Sequence, residues 1–127
     1  MRTIVFSFLL LGMLTTTAPT HAGEQQQYAF CYHNSDGSGT CGGSFLAVRN
    51  SSDPNAYAYF WANAGGVMGF VAYISNTAAS CAPQPGSGIA ANWPQLMANR
   101  GFFQVSWNAL GTCTSIYYRN GSLDSNY

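Results

Sequence analysis

Residues 56–75 read AYAYFWANAGGVMGFVAYIS, two runs of aromatic, β-branched and small residues separated by NAGG, with no charge at any position. Short runs of this composition around an Asn and Gly cluster are strand, turn and strand. Side chains alternate across a strand, so Tyr57, Tyr59 and Trp61 share one face and Ala56, Ala58, Phe60 and Ala62 the other. A connecting turn with an even number of residues then places Met68, Phe70 and Ile74 beside the Tyr and Trp row, and Val67, Gly69 and Val71 beside the alanines. One face is large and aromatic; the other is small and smooth. Either the alanine face takes a helix and the aromatic row is free, or the aromatics are the core.

Working outward, the same alternation of short apolar runs and turn clusters marks strands near 28–32, 44–49, 56–62, 67–75, 102–107 and 112–119. The connections NSDGSG, NSSDPN, NAGG, NALG and RNGS are rich in turn formers. Ala82 to Gly88 reads as the longest irregular piece. It leads into NWPQLMANRG, where Asn92 can cap, Pro94 fits a first turn and Gly101 terminates, so one short helix is expected over Trp93 to Arg100. Its apolar residues Trp93, Leu96 and Met97 need a sheet to lie on. The expected fold class is α+β, a single antiparallel sheet of about six strands with one short helix and two disulfides.

The chain opens with MRTIVFSFLLLGMLTTTAPTHA: a positive charge at Arg2, an apolar run from Ile4 to Leu14, and a polar stretch ending at Ala22. This is the pattern of a secretory signal peptide over 1–22, with 23–127 as one small domain. Its apolar run is shorter than the roughly 20 residues that span a bilayer, so no membrane insertion is expected. All four cysteines, Cys31, Cys41, Cys81 and Cys113, follow that segment. An even number in an exported chain reads as two disulfides, for which three connectivities exist. Pairing Cys31 with Cys41 and Cys81 with Cys113 closes the shortest loops.

From Gly23 onward the charges are Arg49, Arg100 and Arg119 against Glu24, Asp36, Asp53 and Asp124, with no lysine. No basic stripe can neutralise a row of phosphates, so nucleic acid is not an expected partner. Amides, hydroxyls and aromatic rings dominate instead, the chemistry of uncharged contacts.

CYHNSDGSGTC, residues 31–41, carries His33, the sole histidine beyond the first 22 residues. Asn34, Asp36 and Ser38 followed by Gly39 and Thr40 resemble the first half of an EF-hand loop. The position that should supply a bidentate glutamate is Phe45, so a turn-rich hairpin tip is the expectation and no metal or cofactor is assigned. A hydrolase would have to draw on His33 with Asp36, or on carboxylates such as Asp53 and Asp124, but no G-x-S-x-G elbow accompanies them. The site residues expected for binding are therefore Tyr57, Tyr59, Trp61 and Phe70, with Tyr73, Tyr117 and Tyr118 as further members of an aromatic surface. On this reading the protein is a secreted or periplasmic recognition module for an uncharged ligand, a glycan being the first candidate. The alternatives are a secreted inhibitor or effector that blocks a partner protein through loop 35–39 or 50–55, and a small hydrolase.

Overall fold

The computed structural model describes residues 28–121. The expected signal segment, Glu24 and Asp124 lie outside the described residues. Within them run seven strands and three short helices: β1 (Ala29–His33), β2 (Gly39–Ser44), α1 (Phe45–Arg49), β3 (Tyr57–Ala62), β4 (Met68–Ile74), β5 (Thr77–Pro83), α2 (Gly88–Ala91), α3 (Trp93–Ala98), β6 (Phe102–Trp107) and β7 (Thr112–Arg119). They form one sheet in the order β1-β2-β6-β7-β5-β4-β3. Every pairing is antiparallel except β5 with β7, a parallel contact of two rungs, Ala82 with Thr112 and Pro83 with Cys113. The expected sheet of about six strands is roughly met by these seven; what is corrected is its wholly antiparallel character, since the sheet is mixed, and the single helix, since three short ones are present among the described residues.

The sheet is folded on itself. Phe103 of β6 lies 5.6 Å, ring to ring, from Phe70 of β4 and 6.3 Å from Phe60 of β3, so the inner faces of the two halves meet. At the other end His33 Nε2 is 2.7 Å from the Ala78 carbonyl oxygen, joining edge strand β1 to β5. The core between the halves holds Phe60, Phe70, Ala72 and Ile74 from one side and Cys41, Phe103, Val105 and Trp107 from the other, closed by Trp93 and Leu96 of α3. Each large apolar side chain so buried contributes about 1.5–3 kcal/mol relative to exposure. The four cysteines form the bridges Cys31–Cys41, across the β1–β2 hairpin, and Cys81–Cys113, between β5 and β7.

Three of the hairpin turns repeat one design. In NSDGS (34–38), NAGGV (63–67) and NALGT (108–112), the asparagine carbonyl accepts from the glycine N–H and the asparagine N–H donates to the carbonyl of the fifth residue. The glycines, Gly37, Gly66 and Gly111, sit at φ 85°, 79° and 74°. This is a type I turn closed by a glycine bulge, with three residues between the hydrogen-bonded pair. An odd loop reverses the parity expected for 56–75. Tyr59 stands opposite Val71 and Phe60 opposite Phe70, so Phe70 belongs with Phe60 on the inner face.

Local chemistry also accounts for the misplaced elements. Residues 45–49 are helical because the Ser44 hydroxyl accepts from the Ala47 N–H at 3.0 Å and caps α1, which turns Val48 and Phe45 inward. Helix α3 ends at Ala98, and Asn92 does not cap it with its side chain; Asn92 instead ends α2, whose own cap is Ser87. Ala82 and Pro83, expected to be irregular, continue β5. Strand β2, GTCGGS, has too many glycines to read as a strand, and the reason lies across the sheet. A Cβ on Gly42 would come within 3.0 Å of the Phe30 ring, and one on Gly39 would strike Trp107.

Candidate functional site

The outer face of β3, β4 and β5 carries Tyr57, Tyr59 and Trp61 in one row and Gly69, Val71 and Tyr73 in the next, followed by Ala78 and Ser80. Alternation brings the first three to one side because Phe60, between them, is drawn into the core. Tyr57 is 43% and Tyr59 48% exposed, while Trp61 and Tyr73 are half-buried. Tyr57 stacks on Tyr73 at 6.2 Å with planes 27° apart and lies 5.8 Å from Tyr59. Trp61 lies over Gly69, where a Cβ would meet its indole at 3.0 Å. The Trp61 backbone is fixed from inside, since its carbonyl accepts from Trp93 Nε1 at 2.9 Å. Rigid rings over a glycine and small side chains make a shallow, uncharged shelf. A hollow of about 350 Å³ adjoins it, bounded by Tyr57, Val71, Ser80, His33 and Trp107.

Of the four binding residues expected from sequence, three share this shelf. Phe70 does not: it is fully buried and touches Phe60 and Phe103. Tyr73 joins the shelf, whereas Tyr117 lies on the opposite outer face. There Tyr28, Phe30 and Tyr32 form a second ladder, with Tyr28 to Phe30 at 6.3 Å and Phe30 to Tyr32 at 6.2 Å, both stacked. Phe102 is buried beneath Tyr28, Tyr117 and the Arg119 guanidinium, which is 5.3 Å from its ring centre. Sequence reasoning missed this ladder, though its signal is in plain alternation: YAFCY, 28–32, puts every ring on the side opposite Cys31.

The hairpin tip spends its polar groups on itself. The Asp36 carboxylate accepts from the Ser38 hydroxyl at 2.6 Å and the Ser38 N–H at 2.9 Å. These bonds, the hydroxyl first, hold the Asp36 carboxyl below the ordinary carboxylate range. His33 is engaged with the Ala78 carbonyl and meets Trp107 edge-on at 5.3 Å, so the structure does not bring His33 to Asp36. Asp53 accepts from the Asn55 N–H at 2.9 Å and organises the 50–55 loop. Among the described residues no three His, Cys, Asp or Glu side chains come together as a metal site, and no helix is long and apolar enough to cross a membrane. No family model, curated protein or solved structure matches this chain.

Proposed function

We propose that the protein is an exported recognition module that binds an uncharged ligand, a glycan in the first instance, on the shelf formed by Tyr57, Tyr59, Trp61 and Tyr73. The observation that carries this reading is the exposure of Tyr57 and Tyr59 in a domain whose core is complete without them. Flat rings with polar tips suit the apolar faces and hydroxyl edges of sugar rings. The two disulfides fit an oxidising compartment, secreted or periplasmic.

Affinity electrophoresis through gels containing neutral polysaccharides, beside a glycan array, tests the proposal. Retardation or array binding should be lost in Tyr59→Ala and Tyr57→Ala with the melting temperature within a few degrees of the parent. Full binding by both variants removes the shelf as the site. Absence of binding to any glycan, with capture of a protein ligand that Tyr59→Ala abolishes, replaces the glycan by a protein partner.

A further inference from the structure

A hollow of about 520 Å³ opens at one end of the folded sheet, where the β4–β5 turn, the 50–55 loop and the start of β1 meet. The volume is that of a small-molecule site, and the mouth of a curled sheet is a common place for one. Its floor is apolar, made by Ala29, Val48, Ala56 and Ile74, whereas its rim carries Asn50, Ser52, Asp53, Ser75 and Asn76. Asp53 is the one charged residue of the lining, and its carboxylate is already tied to Asn55.

The rim holds unspent hydrogen-bonding capacity. The Asn50 side-chain carboxamide and the Ser52 and Ser75 hydroxyls have no partner among the described residues. Asn76 accepts from the Tyr73 hydroxyl at 3.3 Å through Oδ1, which leaves its NH₂ group to donate. The turn that presents Ser75 and Asn76 is also unusual. Both lie at positive φ, 53° and 61°, and among the described residues no other non-glycine does. A two-residue turn of this hand favours asparagine and glycine, so Asn76 suits its place, whereas Ser75 holds a hydroxyl over the hollow against its backbone preference.

We propose that this mouth is a second binding site, for a single neutral pyranose unit. An apolar floor beneath a rim of amides and hydroxyls matches a ring with one apolar face and an edge of hydroxyl groups. The lining offers no cationic side chain to an anion and only one carboxylate to a cation. None of Tyr57, Tyr59, Trp61 and Tyr73 lines it, so it is a separate hollow that the shelf reaches through the Tyr73 hydroxyl bond to Asn76. The shared chemistry is a pyranose, supplied either free or as the end of a chain.

The test is amide chemical-shift mapping of the isotopically labelled protein with glucose, galactose and N-acetylglucosamine, and with their β-linked tetramers. Saturable shifts at Asn50, Ser52, Ser75 and Asn76 are expected; saturation by monosaccharides identifies a free sugar, and a response to tetramers alone identifies a chain end. Ser75→Gly removes the hydroxyl while relaxing the turn, so the fold should be retained and affinity should fall about five- to tenfold, the worth of one hydrogen bond. Asn50→Ala should act in the same direction. Absence of saturable shifts at the mouth overturns the proposal, as does parent-like affinity in both variants. Shifts confined to the Tyr57 to Trp61 shelf overturn this site and leave the shelf reading standing.

Discussion

Tyr59 and Phe60 are chain neighbours whose side chains meet opposite environments. Phe60 is 9% exposed and touches the rings of Phe70 at 5.1 Å, Trp93 at 5.5 Å and Phe103 at 6.3 Å. Phe60→Ala should leave a cavity there and cost about 3–5 kcal/mol in urea unfolding. Tyr59→Ala, on the solvent side, should cost under about 1 kcal/mol in the same measurement. A large loss from Tyr59→Ala would make the shelf part of the core. Asp36 gives a pH-dependent counterpart. Its carboxyl titrates lower in the folded hairpin than in the unfolded chain, so the bonds to Ser38 contribute fully above the unfolded value. Their contribution is lost as pH falls through the folded one. In Ser38→Ala the Asp36 titration, followed by carboxyl-carbon NMR, should move up toward the ordinary carboxylate range, with a small fall in melting temperature at neutral pH that vanishes in acid.

At the scale of elements, the repeated Asn-x-x-Gly turn sets which residues face which. The bond from Asn63 N–H to the Val67 carbonyl makes 63 and 67 a pair, so 62 faces 68 and every further rung follows. The aromatic shelf is thus a consequence of one bulge: an even turn would have put Phe70 among the tyrosines. Gly66 is where this geometry rests on a single residue, because its φ is 79° and a Cβ there would meet nothing within 4 Å. Gly66→Ala therefore isolates backbone strain from crowding and should cost roughly 1–2 kcal/mol, read from thermal or urea unfolding. A neutral effect would mean the turn can relax to another type, with a slip in register visible as altered cross-strand contacts.

For the whole molecule, the seam between the two halves of the sheet is its least hydrogen-bonded junction. Strands β5 and β7 share only two rungs, and beside them stands the Cys81–Cys113 bridge, whose cysteines are 32 residues apart. Cys31–Cys41 spans 10 residues within a hairpin that five rungs already hold. Loop-closure entropy assigns roughly 3–4 kcal/mol to the longer bridge and roughly 2–3 kcal/mol to the shorter. Replacing Cys81 and Cys113 together by Ala should accordingly destabilise more than replacing Cys31 and Cys41. Equal losses in urea unfolding would show that the ring cluster of Phe60, Phe70 and Phe103, and not the bridge, holds the halves together.

Much of this architecture was legible along the chain because it depends on neighbours in sequence. The strands 102–107 and 112–119, the alternation that sets Tyr57, Tyr59 and Trp61 on one face, and the position of the turns follow from local periodicity and turn chemistry. Strand β2 was hidden because its glycines answer to Phe30 and Trp107, residues that reach it only after the sheet forms. Strand β5 was hidden because TAASCAP pairs on one side with β4 and on the other, in parallel, with a strand some 30 residues away. The sequence by itself determined which side chains travel together on a strand, since that is fixed by the backbone's two-residue period. Only the tertiary structure decided which of those rows became core: the folded sheet has a single interior, and Phe60, Phe70 and Phe103 fill it, leaving the tyrosines outside.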